Sequence, residues 1–275
     1  YGLTFFLLAA LCLPLVRTRH KNLPWSLFIA FALLRALHQI GHMAEILLGN
    51  PAWLEFIQFW DVVIAFVLLF EFARRGARRL GGRSVGAWVH LPLAVIAWLG
   101  FQAAGPAGML AMVRYTYGLL GGLWAVLVLY HYAQRLNEQR LLFSVFNVFF
   151  LFYLFCVTLI IPAAPVWPAS VLNEESFQSL SGIPVHLVRW LFALGLVVAL
   201  WLHRGAVRRR EARAQGIKGQ ARFELAVLVL FLLLLLVGWV ATGLSGRHAE
   251  RLQRGVLLEN TALASQVLDV GELQR

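Results

Sequence analysis

The fold is decided by residues 54–83, which read LEFIQFWDVVIAFVLLFEFARRGARRLGGR. Residues 54–73 are almost wholly apolar, and a helix needs about 20 such residues to cross a bilayer. Five arginines follow at once: Arg74, Arg75, Arg78, Arg79 and Arg83. Lys and Arg concentrate in the short cytoplasmic connections of membrane proteins. The stretch therefore predicts a membrane-spanning helix that ends on the cytoplasmic side.

Seven further apolar segments flank this one, which gives eight in all, near residues 3–16, 24–48, 54–73, 86–104, 109–133, 141–163, 184–203 and 223–243. The connections after the first, third, fifth and seventh segments hold 3, 5, 2 and 7 Lys or Arg residues. The connections between them, at 49–53, 105–108 and 164–183, hold none. This alternation predicts an all-α, polytopic transmembrane bundle of about eight helices, with the N-terminus and the C-terminus both extracytoplasmic.

The composition agrees with a membrane protein. Hydrophobic residues make up 60% of the chain, which excludes an ordinary soluble domain. The formal net charge is +11, but 17 of the 24 Lys and Arg residues lie in the four connections assigned to the cytoplasm. The topology therefore accounts for the charge. The expected partner is the lipid bilayer, and no nucleic-acid partner is expected.

Ionisable residues inside the predicted helices form the candidate site. Arg35, His38, His42 and Glu45 fall within about 80° of arc on the second helix, at about 100° per residue. Charges in hydrocarbon cost roughly 2.5–3.5 kcal/mol each on insertion scales, so they should face one another or a polar cavity that opens outward. Such a cavity would bind a small polar or anionic ligand or protons, while a purely structural network would only fix helix packing. The other candidate ligand-binding residues are Asp61, Arg114, His186 and Arg189.

The longest predicted external connection, residues 162–184, contains four prolines and one glycine, so it cannot form one continuous helix. Ser170 is a candidate N-cap for a short helical turn with acidic residues behind it. We expect the connection to fold over the outer mouth of the bundle as a lid, or else to contact a ligand. The candidate lid residues are Trp167, Asn173, Glu175 and Phe177, and we expect both aromatic rings to contact the bundle.

The histidines raise the alternative of a metal or haem site. His38 and His42 have the i, i+4 spacing that suits zinc or copper, but the His-Glu-x-x-His pattern of metalloproteases is absent. A bis-histidine haem would use His42 with His186, or His90 with His131. We predict no metal site and no cofactor, and haem stays the alternative. The sequence carries no catalytic motif, so no catalytic residue is assigned.

Several short stretches of the chain together carry a family resemblance: YGLTFF (1–6), LRALHQI (34–40), FEFARR (70–75), RY (114–115), WPASVLN (167–173), ESF (175–177) and GIPVHLVR (182–189). Together they resemble the multi-pass N-terminal membrane sensor region of bacterial sensor histidine kinases and diguanylate cyclases, over about residues 1–204. The resemblance implies a signal-input module in the bacterial inner membrane, an unidentified small-molecule ligand and, for a kinase, a homodimer. Where the family pattern has Gln, this chain has His186.

The expected organisation has three parts. Residues 1–204 form a seven-helix sensor bundle, 205–222 a basic cytoplasmic linker, and 223–275 the eighth helix with the start of an extracytoplasmic segment. The chain looks like a fragment, and a kinase or cyclase domain is expected beyond residue 275. Two other functions stay open from the sequence: a haem- or quinone-binding redox membrane subunit, and a transporter or accessory subunit of a larger membrane complex.

Overall fold

The computed structural model describes residues 2–17, 23–48, 51–82, 85–136 and 140–215. These residues form an all-helical fold without a β-strand, apart from one isolated bridge between Ile161 and Asn173. A 3₁₀ turn (Ala87–Val89) and a π-helical segment (Arg114–Leu120) interrupt the α-helices. The α-helices are α1 (Gly2–Arg17), α2 (Trp25–Leu48), α3 (Ala52–Arg79), α4 (His90–Val113), α5 (Gly121–Gln134), α6 (Arg140–Thr158), α7 (Glu174–Ser181) and α8 (Val185–Gln215).

The helices have the length and composition of a membrane protein. Among the described residues, five helical runs are long and apolar enough to cross a bilayer: Trp25–Glu45, Ala52–Arg79, Ala87–Gln134, Arg140–Thr158 and Val185–Val207. The apolar part of α1, Gly2–Val16, is shorter. A helical fold of the membrane type is thereby confirmed. The predicted segment 223–243, and all of 216–275, lie outside the described residues.

The run from Ala87 to Gln134 is folded back on itself. The backbone leaves the helical region at Ala104 and Gly105, and Gly105 has a φ of 61°. The Tyr117 hydroxyl donates a hydrogen bond to the His90 carbonyl at 3.0 Å, whereas a straight helix would hold these residues about 40 Å apart at ~1.5 Å per residue. The two arms therefore run side by side, and the turn predicted at residues 105–108 is present.

The described helices form a closed ring in the order α1, α2, α3, α5, α6, α8, while α4 packs outside it against α3 and the π-helical segment. Aromatic side chains fill the ring. The Trp25 ring lies 5.9–6.2 Å from four other rings, measured between centroids. Those rings belong to Phe28, Phe72, Tyr132 and Phe143. Lipid tails are as apolar as these side chains, so close packing rather than exclusion of water holds the ring together.

The basic connections meet at one end of the bundle, which we call the basic end. Arg135 Nη2 donates to the Leu80 carbonyl at 2.6 Å and thus joins the ends of α5 and α3. Arg204 Nη1 donates to the Leu11 carbonyl at 2.7 Å and joins α8 to α1. The opposite end carries residues 159–184 and is called the loop end. The arginines of the connections, such as Arg135 and Arg204, and the long connection are therefore at opposite ends, as the charge alternation predicts.

Candidate functional site

The candidate site is a cluster of polar side chains buried toward the loop end. On its α2–α3 side, His38 Nδ1 lies 3.4 Å from Asp61 Oδ2, and both side chains are buried. One turn along each helix, the amide end of Gln58 packs on Gly41, 3.2 Å from the position that a Cβ atom would take. The missing side chain at Gly41 thus admits a second polar group between α2 and α3. Of the stripe predicted on α2, His38 is the residue that faces Asp61.

The stripe continues from this buried pair toward the surface. The His38 and His42 rings meet edge to face with their centroids 4.6 Å apart. His42 Nδ1 lies 2.9 Å from Glu45 Oε2 on the same helix, and the His42 side chain is 47% exposed. The predicted residues Asp61, His38, His42 and Glu45 therefore form a continuous polar row from the interior to the surface.

Arg35 is the deepest residue of the stripe and reaches across the ring. It is 3% exposed, and its Nε donates to the Tyr153 hydroxyl oxygen on α6 at 3.2 Å. The guanidinium also lies over the Phe66 ring of α3, 5.9 Å from its centroid, where the ring quadrupole attracts a cation. Arg35 thus joins α2 to both α3 and α6.

Arg189, near the start of α8, holds the loop end together. Its Nε donates to the Cys156 carbonyl at 3.0 Å, and its Nη2 donates to the Ile160 carbonyl. Carbonyls at a helix C-terminus have no partner within the helix, so a nearby cation satisfies them and suits the helix dipole. Arg189 Nη1 lies 2.9 Å from Glu174 Oε1. One side chain therefore connects α8, the end of α6 and α7.

The local sequence around α7 places Glu174 opposite Arg189. Asn173 is the N-cap, whose side chain accepts a hydrogen bond from the Ser176 backbone N–H at 2.9 Å, and the Ser176 hydroxyl accepts one from the Asn173 N–H at 3.1 Å. Gly182 ends the helix in the left-handed conformation, with a φ of 70°, which glycine adopts without strain. This reciprocal capping box fixes the register of α7. As a result the first helical residue, Glu174, faces α8.

The Glu174 carboxylate is held ionised by its neighbours. Burial raises its pKa, but the neighbouring His186, whose Nε2 lies 3.6 Å from Glu174 Oε2, and the charge of Arg189 lower the pKa to about 2. Hydrogen bonds and opposite charges that favour the charged form outweigh desolvation here. The sequence did not predict Glu174 for the site. It indicated the neighbouring residue Glu175, which is exposed.

Arg114 differs from the other two arginines of the cluster. It is the first residue of the π-helical segment and is only 9% exposed. Within the described part of the chain, its Nε has no hydrogen-bond partner and no carboxylate forms an ion pair with it. Its charged neighbours include Arg189 and Arg35, which repel it, and Glu174, which attracts it. The cluster thus brings three guanidinium groups close together.

The loop does not close over the bundle in the way the sequence suggested. Trp167 is 79% exposed and does not pack on the bundle, so the expected contact of its ring is wrong. Phe177 is half-buried, Asn173 is buried as the N-cap, and Glu175 is exposed. Small apolar residues seat the loop instead: Ile161, Ala164 and Ala169 form a separate apolar cluster with Ala111, against which Tyr115 packs.

The histidines considered for haem all have other contacts. His42 and His186 lie against Glu45 and Glu174 respectively. His90 Nε2 lies 3.3 Å from Glu71, and His131 Nδ1 lies 2.8 Å from the Leu127 carbonyl. Among residues 2–215 as far as they are described, no three His, Cys, Asp or Glu side chains are grouped to hold a metal ion.

Chemically, the cluster is rich in hydrogen-bond donors and in positive charge. Its acids, the buried Asp61 and the partly buried Glu174, lie against His38 and Arg189 respectively. Arginine and histidine side chains in such surroundings can bind anions, orient water or transfer protons. The chain matches no protein-family model, no curated protein and no solved structure.

Proposed function

We propose that this chain is the signal-input module of a bacterial membrane signal-transduction protein, of the sensor histidine kinase kind. It crosses the inner membrane eight times, with both ends extracytoplasmic, and its polar cluster opens toward the outside. The resemblance over residues 1–204 and the gathering of arginines at the basic end support this proposal. If the output domain is a kinase, the protein is a homodimer.

The observation that carries the proposal is the continuity of α8. This helix begins at Val185, beside the loop, and runs without interruption to Gln215, beyond the basic end. Arg189 ties its first turns to the loop and to the end of α6. A change at the cluster therefore acts directly on the helix that leads into the following part of the chain.

Signalling requires that the stimulus favour one of two arrangements of this helix. A ligand shifts such an equilibrium only by the difference between its affinities for the two states. Arg189 supplies such a difference, because its three contacts join α8 to the end of α6 and to α7 and need not all survive a displacement of α8. Movements of packed helices by small distances are a common switching device.

The test uses the full-length protein in membranes and compares two adjacent carboxylates. Glu174→Gln removes the charge that faces Arg189, while Glu175→Gln removes an exposed charge one residue away. We expect Glu174→Gln to change the basal kinase or cyclase output or the response to stimulus, and Glu175→Gln to match the parent. If both variants fold and signal like the parent, the contact at Arg189 does not control output and the proposal fails.

A further inference from the structure

We propose that the polar cluster binds an oxyanion, a carboxylate or phosphate group, and that Arg114 is its anchoring cation. This inference rests on the proposed sensor function, because it names the chemical class of the ligand that the sensor would bind. It starts from Arg114, whose Nε has no hydrogen-bond partner and whose charge forms no ion pair with a carboxylate among the described residues. Arg35 and Arg189, by contrast, each have hydrogen-bond acceptors.

The environment of Arg114 makes an unpaired charge unfavourable. The residue is 9% exposed, and the helical run in which it lies, Ala87–Gln134, has the composition of a membrane span. A charged group that is removed from water needs a partner of opposite charge or hydrogen bonds that replace its hydration. An anion beside Arg114 meets this need.

The neighbouring acids are already engaged by other groups. Glu174 lies against Arg189 and His186, and Asp61 lies against His38. The two other arginines bring further positive charge close to Arg114. The local balance therefore favours a mobile anion over a rearrangement of the existing pairs.

The backbone at Arg114 is also unusual. The π-helical segment starts at this residue and extends to Leu120. Such segments are rare, and they occur frequently at functional sites because the wider turn redirects side chains. The π-helical turn thus presents Arg114 and the next residue, Tyr115, at the base of the loop.

Tyr115 supplies a second donor at the same place. Its hydroxyl oxygen is buried and has no hydrogen-bond partner among the described residues, and it interacts electrostatically with Arg114. Its ring packs on the apolar patch that seats the loop. The loop therefore contacts the residue next to Arg114, and both the Tyr115 hydroxyl and Arg114 Nε have no acceptor among the described residues. The planar fork of arginine matches carboxylate and phosphate in two parallel hydrogen bonds.

The experiment measures binding directly on the purified chain in lipid nanodiscs. In the first arm, nanodiscs of zwitterionic phosphatidylcholine are titrated with sodium acetate or inorganic phosphate at constant ionic strength. In the second arm, no soluble oxyanion is added and the fraction of anionic phosphatidylglycerol is raised. Thermal unfolding followed by tryptophan fluorescence reports binding in both arms, since a ligand of the folded state raises the midpoint.

We expect a saturable rise of the midpoint in one arm. A response to the soluble anions identifies a water-soluble ligand, and a response to phosphatidylglycerol identifies a lipid headgroup; either supports the proposal. Arg114→Gln should weaken the apparent affinity about 10- to 100-fold, the range for a hydrogen bond to a charged group. Arg140→Gln, at an exposed arginine at the opposite end of α6, should bind like the parent.

Two outcomes overturn the inference. One is a midpoint that shows no saturable response in either arm. The other is a response that Arg114→Gln leaves unchanged. If Arg114→Gln does not fold, Arg114→Lys decides in its place, since it keeps the charge but loses the two-pronged contact and should bind more weakly than the parent. An affinity equal to the parent's would then contradict the proposal.

The result is separable from the test of the sensor function. A protein that binds the anion but whose output ignores it keeps this inference and loses the proposed function. A protein whose output depends on Glu174 but that binds no oxyanion keeps the function and loses this inference.

Discussion

Arg189 Nη1 lies 2.9 Å from Glu174 Oε1, so an ion pair joins the start of α8 to the first turn of α7. The Arg189 side chain is 6% exposed and that of Glu174 is 25% exposed. The pair therefore lies mostly out of water, where a charge-assisted hydrogen bond is stronger than at an open surface. Its register depends on the capping box at Asn173.

Replacing Glu174 should loosen the loop end. Glu174→Gln replaces the carboxylate that faces Arg189 by a neutral amide, and we expect a loss of about 1.5–3 kcal/mol in the free energy of unfolding, as for a hydrogen bond to a charged group. Unfolding of the protein in nanodiscs measures the loss. The control, Glu175→Gln, should stay within about 0.5 kcal/mol of the parent, as expected for an exposed position; an equal loss in both variants would contradict the assignment.

Acid should weaken the same contact. The pKa of Glu174 is lowered from 4.5 to about 2 in the folded protein. A lowered pKa means that the stabilisation is complete above pH 4.5 and is lost as the pH falls from there toward 2. The protection of residues 161–184 against hydrogen exchange, expressed relative to the intrinsic exchange rate at each pH, should therefore fall in this window. In Glu174→Gln this fall should vanish, and a parent whose protection is the same at pH 4.5 and pH 2 would refute the expectation.

His38 and Asp61 should be energetically coupled. Their facing atoms are 3.4 Å apart and both side chains are buried, so each single replacement leaves a polar group without its neighbour. In a double-mutant cycle with His38→Leu and Asp61→Leu, we expect a coupling of about 0.5–3 kcal/mol. A pair of variants whose effects on unfolding simply add would show that the two residues act independently.

Arg114 and Arg189 should respond oppositely to loss of charge. Without an anion in zwitterionic nanodiscs, Arg114→Met removes an unpaired buried charge and should raise the free energy of unfolding by up to about 3 kcal/mol. Arg189→Met removes a charge that satisfies two carbonyls and a carboxylate, so it should lower stability. Chemical unfolding of the two variants side by side measures this contrast. Destabilisation of equal size in both variants would contradict the prediction.

The orientation is testable with single cysteines. Cys12 and Cys156 are buried, so they should react little with a membrane-impermeant thiol reagent. In intact cells, a cysteine at Ser179 should be labelled and one at Gly81 should not, because the arginine-rich connections are assigned to the cytoplasm. The reverse pattern would invert the topology.

The sequence revealed those features that depend on periodicity and on charge. The stripe on α2 follows from residue spacing alone, and Arg35 and His38 are buried on one face of that helix as expected. The turn between the two arms of residues 87–134 is predicted at residues 105–108, between the apolar segments 86–104 and 109–133, and the backbone leaves the helical region at Ala104 and Gly105. Both depend on residues close together in the chain.

Features that depend on long-range packing escaped prediction. Whether Glu174 or Glu175 faces α8 is set by the capping register of α7 against a helix that starts ten residues later. The π-helical turn at Arg114 has no distinct sequence signal, and it decides which way this arginine is aimed. Trp167 is exposed, and the loop is seated instead by Ile161, Ala164 and Ala169 with Ala111 of α4, which only the folded chain brings together.

The unbroken course of α8 has a mechanical consequence. From Arg189 to Gln215 the helix is about 39 Å long at ~1.5 Å per residue. A tilt of about 5° around the contact at Arg189 would carry the far end sideways by about 3 Å, more than the ~1–2 Å by which helices commonly shift at regulated interfaces. A small rearrangement at the cluster would thus produce a larger displacement at the far end of α8, even if the ring of helices stayed unchanged.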